Sequence, residues 1–78
     1  MTLREAISEA QEDTRSLRAS ATRHNKGDYV YDAMSPGAQE AWDKLCLPQQ
    51  ILGYAVSRIE AYHTGCGGKA SDLDVAIE

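Results

Sequence analysis

Residues 35–65 read SPGAQEAWDKLCLPQQILGYAVSRIEAYHTG, and this stretch decides the fold. Ser35-Pro36 is a strong helix start: a capping hydroxyl, then a proline at the first helical position, where its missing N–H costs nothing. Ala38, Ala41, Trp42 and Leu45 then share one face, with Gln39, Glu40, Asp43 and Lys44 on the other. Pro48 disfavours a helical Leu47, so the first helix is expected over about 36–46. Pro48 itself starts the next, over about 48–63, with Ile51, Leu52, Ala55, Val56, Ile59 and Tyr62 as its apolar face. Gly65 closes it. So short a connection at 47–48 predicts an αα-hairpin or corner.

Upstream, Thr2-Leu3-Arg4-Glu5 has the form of a capping box. Leu3, Ala6, Ile7, Ala10, Thr14, Leu17 and Ala21 keep a three-four spacing, which predicts one helix over about 2–23. Acids come early and bases late in it, matching the helix dipole. About twenty-two residues would span roughly 33 Å, so one end is expected to project beyond the core. Residues 24–34 read as a loop that Asn25 or Gly27 opens in the left-handed conformation. Tyr29-Val30-Tyr31 in that loop reads as an extended linker, or else as a short helical turn. Residues 64–70 are a second loop, and 71–77 a short C-terminal helical turn. The expectation is an all-α fold: one small three-helix domain over residues 1–78 with a helical stub.

Composition bounds the function. The chain has 78 residues, a 42% hydrophobic fraction and no Phe. Eleven of the apolar residues are Ala, so one small core is all it can fill. A second copy or a larger partner would add the buried area a lone copy lacks, which makes a homodimer one expectation. The net charge is −4, which does not favour nucleic acid or an anionic membrane as partner. No apolar run approaches twenty residues and the N-terminus lacks a signal-peptide pattern, so a cytoplasmic setting with reduced thiols is expected.

Candidate chemistry is sparse. Arg15, Arg18, Arg23, His24 and Lys26 form a basic run without acids. It reads either as a phosphate-contacting helix end or as a cationic last turn that complements the dipole. Ala38–Arg58 has a helix-turn-helix outline, but Arg58 is the one base its second helix would expose. His63-x-x-Cys66, with Cys46 and His24, is a conceivable zinc set, though zinc sites usually show two close pairs and this chain has one. Cys46 or Cys66 with His63 is likewise a conceivable nucleophile and base, but no catalytic motif surrounds them. No metal, cofactor or enzymatic activity is expected.

The remaining candidates are surface groups. The second half carries the acids Asp28, Asp32, Glu40, Asp43, Glu60, Asp72, Asp74 and Glu78, an acidic face or ordinary solubilising charge. Trp42 and Tyr62 fall on the core faces, and Tyr54 falls off them as an interface anchor. The reading is a non-enzymatic protein-interaction protein, a small regulator or inhibitor that occupies the surface of a larger protein partner. Asp28, Asp32, Glu40, Asp43, Tyr54, Arg15 and Arg18 are its expected partner-binding residues. A small nucleic-acid-binding regulator using the basic end of the first helix is the alternative.

Overall fold

The computed structural model describes residues 1–23 and 25–77. The readings placed on His24 and Glu78 lie outside the described residues. The all-α class holds: five α-helices and two 3-10 helices, with no strand among the described residues.

The first helix begins as its sequence dictates. Thr2 Oγ1 accepts the Glu5 N–H at 3.2 Å, and the Glu5 carboxylate accepts the Thr2 N–H at 3.0 Å. This opens α1 (Leu3–Asp13), which buries Leu3, Ala6, Ile7 and Ala10. The helix does not run to residue 23. The buried Thr14 hydroxyl donates to the Ala10 carbonyl at 2.8 Å, a back-bond that competes with regular helix. A short, separate α2 (Arg15–Ala19) follows and packs on the next helix. Leu17 therefore falls off the continuous stripe and is 54% exposed, and no long helix projects.

Residues 25–33 correct the expected loop. They form α3 (Asn25–Ala33), which buries Gly27 and Val30. The alternating Tyr29-Val30-Tyr31 becomes helical because Val30 and Met34, four apart, both enter the core. Gly27 is no left-handed cap, since among the described residues positive φ occurs at Gly67 alone. It sits where the α3 backbone touches the next element: a Cβ there would overlap the Gln49 carbonyl oxygen and Gln50 Cα.

Ser35 then starts α4 (Pro36–Asp43), its hydroxyl accepting the Ala38 N–H at 3.3 Å. The expected helix over 48–63 is interrupted. Gln49–Gly53 is a 3-10 helix, Tyr54 and Ala55 are extended, and α5 begins afresh (Val56–Gly65). The break resets the buried face. Ile59 and His63, four apart, point inward, while Tyr62 is 46% exposed rather than core. The predicted hairpin is also absent: the 3-10 helix packs most extensively on α3, and α4 and α5 each pack on α1.

The chain closes with a second 3-10 helix (Ala70–Asp74), which buries Leu73. An antiparallel bridge pairs Thr2 with Ala76. The Leu3 N–H donates to Val75 at 3.0 Å and the Ile77 N–H to Met1 at 2.9 Å. Arg4 reinforces this closure, donating to Glu60 at 2.7 Å and Asp74 at 3.0 Å. Trp42, Leu3, Ile7, Leu52, Ile59, Leu73 and Val30 fill the centre, so the core collects side chains from α1, α3, α4, α5 and both 3-10 helices. The radius of gyration is 11.4 Å. A single domain of this length is expected at about 11.5 Å, so these segments form one body.

Candidate functional site

Two surfaces gather chemistry, and both are products of the break at Tyr54-Ala55. The first lies on the outer side of α5. Arg58 and Tyr62, four apart on α5, share a face, and the extended Tyr54 just before the helix packs against both. The Tyr54 and Tyr62 rings meet with centroids 5.9 Å apart, tilted by 39°. The Arg58 guanidinium carbon lies 5.9 Å from the Tyr54 centroid, within cation–π range. Tyr54 is half-buried, and Arg58 and Tyr62 are exposed. The sequence pattern marks Tyr54 as an interface anchor but assigns Tyr62 to the core face and Arg58 only to a helix-turn-helix outline; Tyr62 is instead 46% exposed.

Arg18 is tied to this face only through Gln11. Its guanidinium donates to the Gln11 carbonyl and to Thr14 Oγ1 at 3.2 Å. The Gln11 side chain in turn donates to the Leu52 carbonyl at 3.0 Å and to the Tyr54 carbonyl. Two of the expected residues, Arg18 and Tyr54, are thus joined through Gln11. Arg15 is not brought in: it is exposed and pairs with Glu12 at 3.0 Å.

The four acids are also dispersed in their roles. Asp28 accepts from Gln49 Nε2 at 2.8 Å, bracing α3 on the 3-10 helix. Asp43 accepts the Tyr31 hydroxyl at 2.9 Å, bracing α3 on α4. That hydrogen bond raises the Tyr31 pKa, with burial and then the charges of Asp43 and Asp32 adding to it. Asp32 is exposed beside this pair, and Glu40 lies 3.9 Å from Lys44 one turn on. Asp28 and Asp43 thus have structural partners, while Asp32 and Glu40 face solvent.

The second surface is an open cleft of about 1060 Å³ at the C-terminal end of α5, lined by Lys44, Cys46, His63, Cys66, Gly68 and Asp72 among others. His63 forms its floor at 3% exposure. Gly68 lies over the imidazole, and a Cβ there would overlap ring atoms. The turn needs Gly67 for its φ of 91°. His63 Nε2 lies 2.8 Å from Asp72 Oδ2, and Nδ1 lies 3.9 Å from Cys46 Sγ. The bond from His63, then the Lys69 N–H, holds the Asp72 carboxyl below its usual range. An ionised carboxylate only accepts, so Nε2 carries the proton, and a neutral ring turns its Nδ1 lone pair to Cys46.

Cys66 closes α5 one turn after His63, its N–H donating to the His63 carbonyl at 3.1 Å. Contact with Cys46 pushes the Cys66 thiol up, burial adding to the effect. Both thiols are free and exposed. The structure therefore brings Cys46, Cys66 and His63 together, as the sequence allowed. It adds Asp72, which no spacing pattern signalled. Among the described residues no three His, Cys, Asp or Glu side chains are placed to hold a metal ion.

No protein-family model, curated protein or solved structure matches the chain. No helix of the described residues is long and apolar enough to cross a membrane.

Proposed function

We propose that this protein is a non-enzymatic interaction module, a small regulator or inhibitor that works in the cytoplasm by occupying the surface of a larger protein partner. The observation that carries this reading is the Tyr54–Arg58–Tyr62 face. Tyr and Arg are the residues most enriched where binding energy concentrates. Here Arg58 and Tyr62 project to solvent rather than fill the core. A matching partner offers apolar slots for the rings and a carboxylate for Arg58. Asp32 and Glu40, exposed on α3 and α4, meet basic groups at the rim.

α1 adds no apolar contact surface, since Leu3, Ala6, Ile7 and Ala10 are buried in the core. The nucleic-acid alternative has less support. Arg18 is folded back on Gln11 and Thr14, and Arg15 is paired with Glu12.

The test is affinity purification from the native host with the wild-type chain and with Arg58→Glu/Tyr62→Ala. These side chains are exposed, so the variant should fold with an unchanged helical circular-dichroism spectrum. The wild type should retain a protein that the variant loses, at a binding cost of about 2 kcal/mol or more, the hot-spot range. Identical retained proteins for both chains would sink the reading. Light scattering on the pure protein decides whether the module works as a homodimer.

A further inference from the structure

The cleft at the end of α5 holds a nucleophile, a base and an orienting carboxylate in series. Cys46 Sγ is 3.9 Å from His63 Nδ1, and His63 Nε2 is 2.8 Å from Asp72 Oδ2. That is the order in which activated thiols are built: thiol, imidazole, and a third group that fixes the tautomer. Beside it stands a second thiol, Cys66, one helical turn from His63 and on the same cleft wall as Cys46. A purely structural His–Asp tie would account for the 2.8 Å hydrogen bond. It would not account for two exposed thiols, from segments twenty residues apart in the chain, lining one cleft with Cys46 at the other ring nitrogen.

We propose that Cys46 and Cys66 are a redox-active dithiol that exchanges with a low-molecular-weight disulfide of the glutathione class. His63 Nδ1 takes the Cys46 proton, and the thiolate attacks one sulfur of the small disulfide. Its S–S bond breaks, the first small thiolate leaves, and it takes the proton back from His63. Cys66 then loses its proton to solvent and attacks Cys46 Sγ in the mixed disulfide. The second small thiolate leaves and is protonated from solvent. The protein dithiol is oxidised by two electrons and the small disulfide is reduced to two thiols, so every atom and electron is accounted for. Cys46 is the attacking thiol because it is the one facing His63. Cys66, on the same cleft, is the resolving thiol. Asp72 is a positioning residue.

The experiment equilibrates the full chain with glutathione and glutathione disulfide in varied ratio, traps free thiols by alkylation and reads intact mass. The expected product is a monomer lighter by about 2 Da, with both thiols protected, in a proportion that follows the ratio. Cys66→Ser should stop at a mixed disulfide on Cys46. Persistent glutathione adducts on the wild type, oxidation only between chains, or no oxidation at any ratio would each overturn the proposal. Asp72→Asn in the Cys66→Ser chain tests the relay. Cys46 alkylation should slow several-fold near neutral pH and match the parent in alkali, where any thiol ionises unaided. An equal rate at every pH would remove His63 and Asp72 from the chemistry.

Discussion

Gly27 of α3 and Gly53 of the first 3-10 helix lie back to back. A Cβ on Gly53 would come within 2.9 Å of Lys26 Cβ and 3.3 Å of the Gly27 nitrogen. A Cβ on Gly27 would run into the backbone of Gln49 and Gln50. Two backbones therefore meet with nothing between them, and this crossing is the most extensive packing in the molecule.

Gly27→Ala sets two effects against each other. Alanine is a better helix former than glycine by about 1 kcal/mol. Overlap with backbone, which cannot swing aside, typically costs about 1–3 kcal/mol, and occasionally more. Overlap should win, and a thermal melt should show Tm lowered, by roughly 4–8 °C for each net kcal/mol. A Tm raised above wild type would mean that the crossing is looser than it stands here.

Trp42 is the largest fully buried side chain, at 2% exposure. Trp42→Ala should cost about 3–5 kcal/mol. For a domain so small that approaches the whole folding free energy. The variant should lose its cooperative urea transition, whereas Leu17→Ala, at 54% exposure, should leave the midpoint nearly unmoved.

Acid should loosen the C-terminal end. The Asp72 carboxyl is held below its ordinary pKa by His63 and then by the Lys69 N–H. The Glu5 carboxyl is lowered by its bonds with Thr2. A depressed folded pKa gives stability that is fully present above the unfolded value, about 4, and lost as pH falls through the folded one. Urea midpoints followed downward from pH 6 should therefore fall below about pH 4, and less steeply in Asp72→Asn/Glu5→Gln. An identical slope in wild type and variant would show that neither carboxylate carries the acid sensitivity.

Arg4 links α1 to Glu60 of α5 and Asp74 beyond it, with its side chain 30% exposed. Partly exposed pairs of this kind are worth about 0–1 kcal/mol each. Arg4→Met keeps much of the packing and should cost about 1 kcal/mol at low salt, with less lost in high salt as screening removes the wild-type advantage. A salt-independent loss would assign the role of Arg4 to packing of its stem.

Local events were legible in the chain. Thr2 with Glu5, and Ser35 with Pro36, start helices where they stand because a cap needs only residues within one turn. The three-four spacing of Leu3, Ala6, Ile7 and Ala10 identified a buried face, and the low apolar content predicted one small core. Even the pairing of Cys46 with His63 was among the combinations the chain allowed. What local pattern missed was decided by contact. Residues 25–33 are helical because Val30 and Met34 enter a core built by distant segments. The helix expected over 48–63 is broken where Gly27 lets the 3-10 helix lie against α3. That break rotates His63 inward and Tyr62 outward. Only then does the second 3-10 helix bring Asp72 to the imidazole, with Cys46 at its other nitrogen. Which face of α5 is surface and which is floor is thus a property of the tertiary structure, because a helix carries its periodicity in sequence but takes its phase from what it packs against.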